Sequence, residues 1–275
     1  MVPGVFSMDA RNDNGGNVSR HVGSDVTESR EDEFELPVAA WSAWAPGLDS
    51  TLAWGQWAAG KSEMLSDGTP ELAFVAPMMR RRLGRTARMM LWVAQQCAGD
   101  REGLRTVFAS RHGELNRTVP MLRELARNNE LSPTDFSLSV HNAAAGVCSI
   151  VRRDRSASVS VAAGEESLGY GLLEAALQWR LKAQTPVLVV FANDTVPPEY
   201  SAFVSNQAPH ALALLLSAEA KTLVRLRRSP SPPGALPSAE PQSLTFLRAW
   251  ITQQPRASWT GARDVWEWDV ARHAA

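Results

Sequence analysis

A turn between a strand and a helix, SVSVAAGEESLGYGLLE at Ser158–Glu174, has the pattern of a site that presents a nucleophile. Small and β-branched residues alternate as far as Val161, and the Ala-Ala-Gly run at 162–164 then allows a tight turn. The side chain expected to project from this turn is Glu165. A carboxylate therefore stands where a serine or cysteine would act, and the pattern predicts a catalytic turn without a usable nucleophile.

A second pattern, GQWAAGKS at Gly55–Ser62, formally matches the phosphate-binding loop G-x-x-x-x-G-K-[ST]. Such a loop must be a glycine-rich turn between a strand and a helix, so that its N–H groups are free to bind phosphate. Here Gln-Trp-Ala-Ala favours continuation of a helix that Asp49 and Ser50 already cap. We interpret the pattern as the end of that helix, with Gly60 at its C′ position, and nucleotide binding through Lys61 as the alternative.

Composition limits the classes of function. The chain has 275 residues, of which 44% are hydrophobic and 21% charged, and its formal net charge is −1. This is enough for one large core, and it offers nucleic acid no basic field. The two cysteines, Cys97 and Cys148, are too far apart to suggest a disulfide framework or a metal site. We expect a cytoplasmic protein without cofactor, metal, signal peptide or membrane span.

Four segments differ in character. Residues 1–33 are rich in polar residues and glycine, which predicts a disordered arm. Residues 34–228 alternate strand-like and helical patterns, which predicts an α/β domain with buried strands. Residues 229–242 form a proline-rich linker, and residues 243–275 a short tail, with one helix, that packs on the main domain.

Hydrophobic periodicity locates the elements of the main segment. Two of the predicted strands, at 210–217 and 221–227, are expected to form a hairpin at the sheet edge. A helix at 113–129 is expected to be interrupted near Pro120. The other predicted strands are at 36–44, 104–110, 158–161 and 186–192, and the other helices are at 51–59, 77–98, 134–150, 167–182 and 243–254.

Ordered blocks from about residue 36 to residue 224 resemble the N-terminal half of the β-ketoacyl synthases, members of the thiolase-like superfamily. The blocks are the first strand with its WGQWAAGKS helix, LSPTDFSLSVHNAAAGVCSI at Leu131–Ile150, and SVSVAAGE followed by Glu174-Ala-Ala. The resemblance implies a thiolase-like half-fold, layered α-β-α with a mixed sheet, and a short C-terminal helical tail.

The nucleophilic cysteine of that family falls on Glu165 in this sequence. A carboxylate cannot form a comparable persistent thioester, and the residues on either side offer no thiol. The catalytic histidines and lysine of the family belong to its C-terminal half, which is largely missing here. Of the five histidines only His112 precedes a glycine, and it comes well before the turn. The resemblance therefore implies a protein that does not carry out Claisen condensation by itself.

Loss of the cysteine with retention of the fold resembles the chain length factors, which pair with an active ketosynthase. The short length resembles ketosynthase-like proteins of aryl polyene and xanthomonadin-type pigment pathways. The implied function is a non-catalytic subunit that shapes the acyl tunnel of a full-length ketosynthase in polyene or fatty-acid-like biosynthesis. The alternative is a stand-alone, divergent thiolase-fold acyltransferase or hydrolase with an unrecognised nucleophile.

The resemblance also implies which residues meet partners. The Ser-Pro helix is the family segment that reaches the partner's pocket, and its residues are predicted to line the interface or the acyl tunnel. They are Phe136, Leu138, Val140, Asn142 and Ala143.

Arginines recur on one side of the helix predicted at 77–98. They form either a solvated surface or a docking site for an acidic acyl carrier protein, whose phosphate and carboxylates suit guanidinium groups. The docking residues would be Arg80, Arg81, Arg82 and Arg85. Glu165 leaves two interpretations open, a solvated turn residue or a cap at a helix N-terminus that fills the emptied acyl site.

Overall fold

The computed structural model describes residues 33–182, 185–204 and 207–272, and eight strands in this part of the chain form one mixed sheet. The predicted arm at 1–33 lies outside the described residues except for Glu33, which begins the first strand. The strands are β1 (Glu33–Trp44), β2 (Arg105–Ala109), β3 (Ser158–Val161), β4 (Val187–Asn193), β5 (His210–Leu216), β6 (Thr222–Pro230), β7 (Arg256–Thr260) and β8 (Asp264–Arg272). The α-helices are α1 (Thr51–Ala58), α2 (Pro77–Arg80), α3 (Arg85–Ala98), α4 (Leu115–Ala126), α5 (Pro133–Ser137), α6 (Ala143–Arg152), α7 (Ser167–Leu181) and α8 (Gln242–Thr252).

The strands follow the order β3-β2-β4-β5-β1-β6-β8-β7 across the sheet. β2 runs parallel to β3 and to β4, and the other neighbouring pairs are antiparallel. Every residue of β4 and β5 is buried, as expected for strands that helices cover on both faces. The predicted layered α/β fold with a mixed sheet is confirmed.

Helices α1, α7 and α8 pack on one face of the sheet, and α3 and α6 pack on the other. Alternate residues of β4 enter the two cores, with Val187 and Val189 on the first face and Leu188 and Val190 on the second. The tryptophans divide in the same way. Trp54 and Trp57 of α1 belong to the first core, and Trp44 of β1 belongs to the second.

The predicted hairpin of β5 with β6 is wrong. Both strands pair with β1, which lies between them. Leu215 faces Ala40 on one side, whereas Leu226 faces Phe34 on the other. The short loop between β5 and β6 suggested direct pairing, but periodicity identifies a strand without identifying its neighbour. β5 is therefore a central strand.

Two helices predicted as continuous are each divided in two. The segment 77–98 becomes α2 and α3, which begins after Gly84, and the segment 134–150 becomes α5 and α6, which begins after Asn142. At Gly84 the backbone passes the carboxyl group of Glu114 so closely that a Cβ atom would collide with it. In contrast, α4 continues through Pro120, where an interruption was expected.

The C-terminal segment extends the sheet. Residues 229–230, assigned to the linker by composition, are the end of β6 and pair with Val265 and Asp264 of β8. β7 and β8 form a hairpin, and α8 packs beside α1. Trp266 and Trp268 are fully buried. The alternation in WEWDV at 266–270 is a strand signal that the prediction of a helical tail missed.

No helix within the described ranges combines the length and the apolar character needed to cross a bilayer.

Candidate functional site

The predicted catalytic turn lies where the parallel strands β2, β3 and β4 end, the edge at which open α/β sheets commonly bind ligands. After β3, a single 3₁₀ turn at Gly164–Glu166 leads into α7. Gly164 has φ +63°, a conformation that favours glycine. The Ser167 hydroxyl donates to the Gly164 carbonyl at 2.7 Å and accepts from the Ala163 N–H at 3.0 Å. These local bonds fix the turn, which we call the bend.

Glu165 occupies the tip of the bend, and its carboxylate is paired. Its Oε1 lies 3.0 Å from Nη1 of Arg111, which follows β2. The Glu165 side chain is 42% exposed, whereas that of Arg111 is only 16% exposed. Glu165 was expected to be either a solvated turn residue or a helix cap. The structure adds a third role, because its carboxylate forms an ion pair with Arg111.

The neighbouring Glu166 is almost completely buried and ties the bend to the C-terminal hairpin. Its carboxylate accepts from the N–H of Arg263 at 3.2 Å and from the indole N–H of Trp266 at 3.4 Å. A Cβ atom at Gly261 would lie 2.5 Å from Glu166 Oε1, so only glycine fits beside it. No local pattern signals this contact, because its partners are about a hundred residues apart in the chain.

Neither cysteine lies at the bend. Cys97 is in α3 and Cys148 in α6, and both are buried and free. Burial raises the pKa of Cys97 to about 12 and that of Cys148 to about 11. Both thiols therefore remain protonated at neutral pH and serve as packing. In the described ranges, no group of three or more His, Cys, Asp or Glu side chains is arranged to hold a metal ion.

One buried histidine contacts a hydroxyl group. His210 Nδ1 lies 2.8 Å from the Ala208 carbonyl, and its Nε2 lies 2.6 Å from Ser243 Oγ at the start of α8. The carbonyl requires a proton on Nδ1, so Nε2 accepts from the Ser243 hydroxyl. This is the geometry of a nucleophile and its base. However, burial lowers the pKa of His210 to about 4, which makes it a weak base at neutral pH. We interpret the pair as a link between β5 and α8.

A cavity of about 520 Å³ opens beside the bend. Its walls come from the ends of β2 and β4, the bend, the loop before α8, the first turn of α8 and β7. The lining residues that matter below are Arg111, Glu165, Phe191, Asn193, Leu244 and Trp259. Ser243 also borders this cavity, although its side chain is buried.

A larger groove of about 810 Å³ lies along α4, between α5 and the start of α3. Glu114, which borders it, is buried, and its Oε1 accepts from the Ala87 N–H at 2.9 Å. Burial raises the pKa of Glu114 to about 7, against the opposing effects of that hydrogen bond and of Arg117. Nearby Asp194 raises it further.

The five predicted interface residues occupy different environments. Phe136 is 58% exposed on α5, and Val140 and Asn142 are exposed in the connection to α6. Leu138 is half-buried against the second core. Ala143 is buried, so it cannot offer a surface without movement of α6.

The four predicted docking arginines do not share one helical face, because the break between α2 and α3 separates them. Arg80 donates to the Leu72 carbonyl, and Arg85 bonds Asp194, Asp67 and Thr195. Arg81 and Arg82 are exposed. Of the four arginines, Arg81 and Arg82 are therefore the most accessible to a partner.

The residues of the formal phosphate-loop pattern form the end of α1, as interpreted from the sequence. The helix ends at Ala58, and Gly60 has φ +70°. The N–H groups of Gly60 and Lys61 donate to carbonyls of α1, at Trp57 and Gln56. They are therefore not free to bind phosphate.

Comparison with known proteins agrees with this architecture. The family profile of the β-ketoacyl synthase N-terminal domain matches residues 54–269. A chain from the ketosynthase (ApeO) in complex with its chain length factor (ApeC) from Xenorhabdus doucetiae is similar, with 30% identity and a TM-score of 0.76. The alignment covers 85% of this chain and 98% of that one. A search of curated proteins found no match.

Two further solved structures are similar in fold. The ishigamide ketosynthase/chain length factor has 13% identity and a TM-score of 0.69, with 88% of this chain and 100% of that chain covered. A β-ketoacyl synthase from Burkholderia phymatum has 11% identity and a TM-score of 0.57, with 81% and 71% covered.

The fold is thus that of the thiolase-like proteins, as predicted. The chain belongs to the β-ketoacyl synthase N-terminal domain family. Its structure is close to that of a chain in a complex of ketosynthase and chain length factor.

Proposed function

We propose that the protein is a non-catalytic subunit, a chain length factor, that pairs with a full-length ketosynthase and shapes its acyl tunnel. The observation that carries the proposal is the bend itself. By the resemblance set out above, the family's nucleophile falls on Glu165, whose carboxylate is paired with Arg111. Cys97 and Cys148 belong to α3 and α6 rather than to the bend, and burial keeps both thiols protonated, so neither is suited to replace the nucleophile.

The coverage of related chains supports the same role. This chain spans 98% of the similar chain in the complex from Xenorhabdus doucetiae, but only 71% of the ketosynthase from Burkholderia phymatum. Near-full coverage of a chain from a complex of ketosynthase and chain length factor, at 30% identity, favours the subunit role over the role of a free-standing synthase.

The region around β3 is suited to a partner. β3 is an edge strand with only β2 beside it, so one row of its backbone groups is free in the described part of the chain. Exposed apolar side chains lie on β3, on α5 and α6, and in the connection between these two helices, and such residues favour association. They are Phe136 (58%), Val140 (38%), Ile150 (64%) and Val159 (38%).

The partner ketosynthase would elongate chains held on an acyl carrier protein, and the product would be a polyene or a fatty-acid-like chain made in the cytoplasm. Exposed Arg81 and Arg82 are the residues through which we expect the acidic carrier to dock, with a solvated surface as the alternative.

Co-expression with a ketosynthase encoded beside it tests the subunit role. The two chains should co-purify one to one. The reconstituted complex should then be supplied with malonyl-loaded carrier, and product length should be measured by mass spectrometry. Phe136→Ala should shift the length distribution, whereas Leu236→Ala, at another highly exposed apolar position, should leave it unchanged. Failure to co-purify would refute the role.

A second candidate is a stand-alone acyltransferase or hydrolase, and one observation favours it. The hydroxyl of Ser243 bonds Nε2 of His210 beside the cavity at the bend. Incubation of the purified chain with radiolabelled acyl and malonyl carriers separates the two roles. Labelling that Ser243→Ala abolishes would establish the enzyme, and absence of labelling and turnover would agree with the subunit role.

A further inference from the structure

We propose that the 520 Å³ cavity beside the bend binds a small carboxylic acid, with its carboxylate on Arg111 and its apolar body against Phe191, Leu244 and Trp259. The cavity volume lies within the range of about 300–1,000 Å³ that is typical of small-molecule sites. The inference goes beyond the subunit role and does not depend on it.

The guanidinium group of Arg111 defines the class of ligand. It already binds a carboxylate, that of Glu165, at 3.0 Å. An incoming carboxylate would reproduce a contact that this guanidinium group makes, with the planar geometry that suits it. Because the Glu165 side chain is 42% exposed, it can turn toward water, whereas Arg111 stays against the protein. Exchange replaces one charge-assisted contact of Arg111 with another, while water solvates the released carboxylate of Glu165.

The other charges around the cavity permit an anion. Glu240 is the second acidic residue in the wall, and its carboxylate already accepts from Thr245 and Arg248. The first turn of α8, an eleven-residue helix, borders the cavity and adds the positive end of its dipole. His210, behind this wall, remains neutral because burial lowers its pKa to about 4.

The apolar wall limits the body of the ligand. Phe191 and Trp259 are aromatic, Leu244 is aliphatic, and all three border the cavity from the core, with 2–8% of their surface exposed. An aromatic ring or a short aliphatic chain fits such a wall, and a bare inorganic anion gains nothing from it.

Isothermal titration calorimetry on the purified full-length chain tests the proposal with benzoate and octanoate as probes. Benzamide and inorganic phosphate serve as controls for the charge and for the apolar body. We expect both acids to bind and both controls to bind at least about tenfold more weakly, since a charge-assisted hydrogen bond is lost in one and the apolar contact in the other.

Two variants should change the affinity in opposite directions. Arg111→Gln should weaken acid binding by about 10- to 100-fold. Glu165→Gln removes the competing carboxylate and should tighten binding by about two- to fivefold. Arg101 and Glu219 form an exposed ion pair outside the cavity lining, so Arg101→Gln and Glu219→Gln are matched controls that should change nothing. Thermal melting of each variant confirms folding.

Three results would each overturn the proposal. The first is that neither benzoate nor octanoate binds to the wild-type chain or to Glu165→Gln. The second is unchanged affinity in a folded Arg111→Gln variant. The third is equal binding of benzamide and benzoate.

Discussion

The two ends of the sheet present opposite chemistry to their surroundings. At the end that carries the bend, β3 has four residues, and apolar side chains such as Ile150 and Val159 are exposed around it. Toward the other end, which we call the charged end, side chains of β1, β6 and β8 form a network of charges centred on Arg227, which pairs with Glu33, Glu267 and Asp269. Exposed apolar side chains favour association, and charged side chains discourage it. The contrast favours the apolar end, the region around β3, as the proposed interface.

The largest expected effect is at the apolar end. Ile150→Glu would bury a charge in the proposed interface, which costs about 2–4 kcal/mol of binding free energy at a central position. Co-purification with the ketosynthase should be lost, while the melting temperature of the free chain should barely change because Ile150 is 64% exposed. Leu236→Glu, at an 89% exposed position, is the control. Intact pairing in Ile150→Glu would place the interface elsewhere.

A large effect on stability is expected beside the apolar end, at Glu114. Its pKa is raised from 4.5 in the unfolded chain to about 7 in the folded chain. The contribution of Glu114 to the free energy of unfolding is therefore complete below pH 4.5 and is lost as pH rises through 7. The loss amounts to about 3 kcal/mol. Glu114→Gln stays neutral and should be more stable than the wild type at pH 8 but not at pH 4. Denaturant unfolding at both values measures this, and equal differences at both would contradict it.

In the middle of the sheet, His210 should have the opposite pH dependence. Its pKa falls from 6.5 to about 4 on folding, so the unfolded chain takes up a proton first as pH decreases. Its contribution is complete above pH 6.5 and decreases by about 3 kcal/mol by pH 4. His210→Gln should reduce the acid sensitivity of unfolding between these values. An unchanged slope would mean that His210 does not remain neutral.

The smallest effect is expected at the charged end. Arg227→Met removes the centre of the ion-pair network, but its side chain is 30% exposed, so water already screens these charges. We expect a loss of about 1 kcal/mol, smaller at high salt, and unchanged pairing with the ketosynthase. Chemical denaturation at low and high salt would show it. Loss of pairing in this variant would reverse the assignment of the two ends.

Local patterns in the sequence were sufficient for several elements. The apolar run at 186–192 and the alternation at 158–161 became β4 and β3 within one residue, because burial sets the side-chain period directly. Ser50 caps α1 through its hydroxyl group, which accepts from the Ala53 N–H, as its residue type predicts. The Ala-Ala-Gly run at 162–164 did form the turn that carries Glu165.

Local patterns could not predict contacts between residues that are far apart in the sequence. No local feature shows that β1 lies between β5 and β6, since a strand's partner depends on the whole sheet. Similarly, no local feature shows that the carboxyl group of Glu114 lies against the backbone at Gly84, thirty residues earlier, where α3 begins. The sequence predicted Glu165 as a residue of the candidate site but did not predict Arg111. The partner of the carboxylate depends on which strands are neighbours in the sheet, and the sequence pattern does not show this.

The sequence by itself determined that the chain forms an α/β layer with a carboxylate at a strand-to-helix turn, since side-chain period, glycine and residue identity are local properties. Only the tertiary structure decided what surrounds that carboxylate. Arg111 reaches Glu165 because β2 lies beside β3, and Glu166 is buried because the β7–β8 hairpin packs beneath the bend. Both contacts join segments far apart in the chain, and the folded core alone brings them together.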